Sequence, residues 1–217
     1  MLIGDVVAFV IFSGLVTGFA LPETRALYDA AYTAAPALVS FIKFSLLATG
    51  GEWIARRIKT NSYSARGFGL FPKAIIWGVL GVFIFWAFLI FGKGVPYAFP
   101  VIQQPVDFGT KLLGAFLISL MMNLIFSPIL MLTHHLTDAH ISNNNGKFPF
   151  KGLKMRSLLE NIDWSRMWNF VFKKTIPLFW IPAHTITFLL LSQYRTLFAA
   201  LLSVALGILL GIANRKR

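Results

Sequence analysis

The stretch KKTIPLFWIPAHTITFLLLSQYR, Lys173 to Arg195, is apolar enough to cross a bilayer yet carries Pro177, Pro182 and His184. An interior proline removes a backbone donor and clashes with the preceding turn, so a helix here bends or opens. In hydrocarbon the freed carbonyl, that of Leu178 for Pro182, needs a hydroxyl, a water or a neighbouring helix. Thr175, Thr185 and Thr187 lie close by with hydroxyls. A bent span with a histidine halfway along fits a bundle that encloses polar groups. It fits equally a kink made for packing, with His184 bonded to a neighbouring carbonyl.

The rest of the composition agrees with a membrane class. Of 217 residues, 57% are hydrophobic and 22 are Phe, while only 13% are charged. A soluble domain of this size needs a far more charged surface. The absence of cysteine excludes disulfides and thiol chemistry. Apolar blocks of roughly 20 residues, the length that spans hydrocarbon, recur along the chain.

The expected fold is an all-α polytopic membrane bundle forming one domain over residues 1–217, with about six spans. The first, Leu2 to Ala20, has Asp5 near its start and reads as a retained span, because it lacks a basic n-region and a clear cleavage site. The second runs from about Ala34 to Ile54, the aromatic third from Phe71 to Phe91, and the fourth from Phe108 to about Leu132. A loop and amphipathic helix over 142–174 lead into the fifth, which Tyr194 and Arg195 close; Thr196 to Ala213 make the sixth.

Basic residues test the span count independently. Fifteen of the twenty Lys and Arg fall after span two (Arg56 to Lys73), after span four (Lys147 to Lys174) or in the tail (Arg215 to Arg217). The other side holds Arg25, Lys93, Arg195 and, at a span edge, Lys111. The positive-inside rule then puts both termini on the cytoplasmic side. The net charge of +12 reads as topology and attraction to anionic headgroups rather than nucleic-acid binding.

Ionisable groups inside a bilayer are expensive and face the bundle interior. Lys43 and His184 both sit about halfway along their spans, and Glu52 lies toward the basic end, within reach of Asp5 or Arg56. With Asn123, Thr187 and Arg195 they are the candidate lining of a polar path; the alternative is a structural hydrogen-bond network. The cluster His134, His135, Asp138 and His140 follows span four. His134 and Asp138 are four residues apart, one helical face, and imidazole with carboxylate at that spacing can bind a divalent ion. No second ligand pair appears on another span, so helix capping or headgroup contact is the competing reading. No nucleophile elbow, phosphate loop or paired-carboxylate motif is visible, and neither enzyme chemistry nor a cofactor is expected. Ser203, Gly207 and Gly211 repeat every four residues, as do Gly14 and Gly18. Such faces let helices approach closely, within the chain or, through Gly207 and Gly211, in a homo-oligomer.

Trp180, Pro182, His184, Thr187-Phe188, Ser192 and Arg195 resemble the C-terminal signature of the Mpv-seventeen or twenty-two-kilodalton peroxisomal membrane protein family. Trp180 and Phe188 match directly, Pro182 and Arg195 are displaced by one, and His184, Thr187 and Ser192 replace a Gln, an Asn and a Pro. Pro36, Gly51-Glu52, Arg56 and the Gly67–Gly69 stretch are similar to its first half. The resemblance implies a small integral membrane protein acting as a channel or pore for small solutes or ions, and the absence of an Arg/Ser-rich transit peptide points to a bacterial inner (plasma) membrane rather than an organelle. A membrane-embedded metal enzyme using the histidine cluster and an assembly protein without a lumen are the other readings.

Overall fold

The computed structural model describes residues 17–104 and 106–213, with positions 6, 10, 13 and 14. Most of the expected first span, Asp5 within it, and the basic tail lie outside the described residues.

The described residues are helical, with no strand among them. Four helices are long and apolar enough to cross a membrane: α2 (Pro36–Thr60), α3 (Leu70–Ala98), α4 (Phe108–Ile125) and α8 (Ser192–Ala213). Between and before them stand α1 (Pro22–Ala34), α5 (Ser127–Asn143), α6 (Met155–Glu160) and α7 (Ile181–Leu189). A π-helical segment, Met167–Trp180, runs directly into α7.

The chain is inside-out relative to a soluble bundle. Leu38, Ile42 and Leu46 point out of α2 along one face, while Ser40, Lys43, Phe44, Ala48 and Gly51 point in. On α3, Val79, Phe83, Trp86 and Ile90 are likewise exposed. Apolar faces of this extent need lipid or protein over them.

α2 is the central helix, packed along α3 on one side and α8 on the other. Glycine makes the second contact possible: a side chain on Gly51 would come within 2.8 Å of the Val204 backbone, and one on Gly207 within 3.0 Å of the Gly51 carbonyl. Gly211 meets Ala55 in the same way. Gly207 and Gly211 therefore pack within the chain, against α2.

Several boundaries differ from expectation. Pro22 at the first helical position and Glu23 in the first turn start α1, a helix between the expected first and second spans. Span four breaks at Phe126, ahead of Pro128, so that α5 carries the histidines as a separate helix. Span five is not one α-helix ending at Arg195. Its first part takes the wider register, with the Ile181 N–H bonded to the Ile176 carbonyl, and Pro182 falls in the first turn of α7, where proline costs least. The helix then stops at Leu190, which is extended (φ −77°, ψ 159°). Tyr194 and Arg195 consequently belong to α8.

Candidate functional site

Three buried polar groupings follow one another along the bundle. At the end where α2 finishes and α3 begins, Glu52 accepts a hydrogen bond from Trp77 Nε1 at 2.8 Å and an ion pair from Lys73 Nζ at 2.6 Å. Lys73 lies 2.6 Å from Asp138 as well, and His134 Nε2 is 3.2 Å from Glu52. Lys73 and Trp77 are four residues apart, so one face of α3 clamps both carboxylate oxygens of Glu52. The partner of Glu52 is thus Lys73 and not Arg56, which donates to the Arg66 carbonyl and lies over the Phe68 ring.

Glu52, His134 and Asp138 each bring a ligand atom within 4.8 Å of the others. The Lys73 ammonium bridges the two carboxylates at 2.6 Å on either side, filling with its own charge the place a cation would take. His140 is elsewhere, its Nε2 3.0 Å from the Pro149 carbonyl oxygen and its ring against Phe148. His135 turns its ring edge-to-face on His134 and lines the adjacent cavity. Of the four candidate metal ligands, the fold brings together His134 and Asp138 and adds Glu52.

His134 stands in α5, outside the four long apolar helices. Burial works against its charged form, but the hydrogen bond and charge of Glu52, followed by the charge of Asp138, outweigh burial and raise its titration above the ordinary histidine range. Burial and the neighbouring His134 push His135 the other way.

The middle grouping joins α4 to α7. Asn123 donates to the Ser119 carbonyl at 2.8 Å and accepts from Ser127 Oγ at 2.8 Å. His184 Nδ1 lies 3.1 Å from Asn123 Nδ2 and 3.2 Å from its Oδ1, so the pair is joined in either tautomer. Trp180 stacks on the imidazole at 5.1 Å. The carbonyl of Ile181, beside Pro182, receives hydroxyls from Ser119 at 2.7 Å and Thr185 at 2.8 Å. Thr187 returns its hydroxyl to Ala183. Serine and threonine hydroxyls thus bond back to the Ile181 and Ala183 carbonyls around Pro182, where hydrocarbon offers no water.

At the far end Lys43 lies two turns in from the start of α2, nearer that end than a midspan position. Its Nζ donates to Tyr28 Oη at 2.7 Å and Thr196 Oγ1 at 2.6 Å, and sits 5.0 Å and 5.3 Å from the ring centres of Tyr28 and Tyr32. Tyr28 donates on to the Gln193 carbonyl, and Tyr194 to Asp29. Arg195 donates to the Leu190 and Phe188 carbonyls, closing the C-terminus of α7 with a cation.

Cavities lie beside these groupings. One of about 150 Å³ at the Lys43 end is lined by Tyr32, Phe88, Lys93, Ser192, Arg195 and Thr196. One of about 30 Å³ lies mid-bundle beside His184, between Phe44, Phe88 and Trp180. A third, about 180 Å³, opens beside Glu52, His134 and Arg166. The first and second share Phe88; the second and third share Trp77, Met131, Trp180 and Ser203. Since a water needs at least about 10–15 Å³, the middle one has room for no more than about two or three, and it is the narrowest of the series, walled by aromatic rings.

Sequence reasoning missed Lys73, Trp77, Tyr28, Thr196 and Ser119. Lys73 had the look of a loop cation, though its i, i+4 relation to a tryptophan at the start of a span marks a shared face. Comparison with protein-family models, curated proteins and solved structures finds no match.

Proposed function

We propose that this chain is a channel- or pore-like membrane protein, not an enzyme, that passes small solutes or ions and stands here in a closed conformation. The observation that carries this reading is the series of three cavities with shared walls, flanked at both ends by buried charged groups. Phe44, Phe88, Trp77 and Trp180 form the closure, since a ring-lined neck too narrow for a hydrated ion gates by excluding water. The reading includes six spans, with Met167–Leu189 crossing as a broken segment and the chain before Pro22 as a further span. It places both termini on the basic side of a bacterial plasma membrane and keeps the resemblance to the Mpv-seventeen family as an analogy.

The natural absence of cysteine makes the test clean. Purified protein in liposomes should pass small solutes faster than empty liposomes do. A thiol reagent on Ser203→Cys, at the wall shared by the middle and basic-end cavities, should block that flux and leave the wild type untouched. Flux equal to that of empty liposomes overturns the reading. Single cysteines at Asn143 and Gln103 should label from opposite faces; labelling from one face overturns the six-span arrangement.

A further inference from the structure

We propose that the cavity at the Lys93–Arg195 end binds a small monovalent anion such as chloride, and that this site makes the passage prefer anions to cations. The preference rests on the proposed passage; the binding site does not.

Charge carries the inference. Lys93 and Arg195 both line this cavity, and no carboxylate does. Lys43 stands directly behind it, 2.6 Å from Thr196, which is a lining residue. Among the described residues no carboxylate forms an ion pair with any of these three cations. The nearest acid along their own network, Asp29, is engaged by the Tyr194 hydroxyl. At the other end the balance is different, because Lys73 and His134 already offset Glu52 and Asp138 in place. A permeant ion therefore meets cations without a paired carboxylate at one mouth, while at the other Lys73 and His134 offset Glu52 and Asp138 and Arg166 adds a further cation.

The donors fit an anion as well as the charge does. Arg195 has five N–H groups and gives only two of them to the Leu190 and Phe188 carbonyls. Its Nη1 reaches within 3.7 Å of where a side chain on Gly92 would sit, and Gly92 is itself a wall of the cavity. Thr196 Oγ1 accepts from Lys43 Nζ and Ser40 Oγ, which leaves its own O–H as a donor. Ser192 and Tyr32 add two more hydroxyls to the lining. Phe85, Phe88 and Leu89 form the remaining, apolar wall. Charge-assisted donors in such a setting bind a small anion more firmly than they would in water.

The test uses the full chain in uncharged detergent, with chloride binding read from the broadening of the chloride nuclear resonance. Wild type should show a saturable site. Lys93→Gln and Arg195→Gln should each weaken it about tenfold, the effect of losing one charge-assisted bond. Lys151→Gln, an exposed loop cation, should leave it unchanged. Equal broadening in all four proteins means only diffuse attraction to a basic chain and overturns the site. If Arg195→Gln fails to fold because the end of α7 is uncapped, the exposed Lys93 alone decides the matter. In liposomes under a potassium chloride gradient, the wild-type diffusion potential should carry the sign of chloride permeation, and Lys93→Gln should move it toward zero. A potential of potassium sign overturns the preference. Saturable binding without any permeation overturns the passage and leaves the site standing.

Discussion

Two lysines at opposite ends of the bundle are buried almost equally, Lys73 at 6% exposure and Lys43 at 8%. Lys73 is bracketed by two carboxylates, each at 2.6 Å. Lys43 has two hydroxyls at similar distances and two tyrosine rings, and no acid paired with it among the described residues. Equal burial has thus been met in two ways. One ammonium is cancelled where it stands, which ties α2, α3 and α5 together. The other amine meets only hydroxyl dipoles and ring faces, beside the Arg195 cavity. A buried pair broken on one side is costly, whereas an ammonium held by hydroxyls can be removed without stranding a charge.

The largest effect expected from this contrast is at Glu52. Glu52→Ala takes an acceptor from Lys73, Trp77 and His134 together, and thermal unfolding in detergent should record a loss of about 3–5 kcal/mol. Adding Lys73→Met should recover a substantial part, because the stranded ammonium goes with it. A loss below about 1 kcal/mol for Glu52→Ala, within the range of an exposed ion pair, would erase the distinction between the two lysines.

The opposite end should respond differently. Lys43→Met keeps most of the volume, and the Tyr28 and Thr196 hydroxyls can turn toward other partners, so stability should change by no more than about 1.5 kcal/mol. The measurable change is in the potassium chloride diffusion potential, which should shift toward zero as it does for Lys93→Gln. A stability loss as large as that of Glu52→Ala would make Lys43 a structural tie of the same kind as Lys73.

How much of this contrast was visible in the sequence depends on how local its causes are. Membrane class, the three middle spans and the inward-facing Lys43 and His184 follow from apolar run length and the cost of burying charge, both readable residue by residue. The partners do not. Lys43 meets Thr196 across 153 positions, and Lys73 meets Asp138 across 65; such pairings arise only when helices pack. The halt at Leu190 lies inside the run Leu189-Leu190-Leu191, with neither glycine nor proline to mark it. Conversely, α1 announced itself through Pro22 and Glu23 but is too polar for a reading keyed to hydropathy. The short span between Gly51 and Gly207 in space was legible as a small-residue face, while the choice of α2 as its partner was not.

The smallest expected effect is a dependence on pH confined to the Glu52 end. His134 titrates above its ordinary value: burial opposes the charge, but the hydrogen bond and charge of Glu52 and the charge of Asp138 prevail. A group whose titration is raised by folding binds its proton more tightly in the folded state. Its contribution to stability is complete below the unfolded value, near 6.5, and is lost as pH rises through the higher folded value. The other groups facing it are Lys73, which opposes the proton, and His135, whose own titration is moved the opposite way, downward, by burial and by His134. Unfolding temperature measured upward from pH 6 should therefore decline through that window for wild type. His134→Gln should remove the decline without reversing it, since the amide can still donate to Glu52. Lys43→Met should keep the full wild-type slope, because the proton concerned belongs to the other end of the bundle. A slope that vanishes in Lys43→Met and persists in His134→Gln would assign the titrating group to the end with no carboxylate partner. The two lysine sites would then have to exchange the roles given to them.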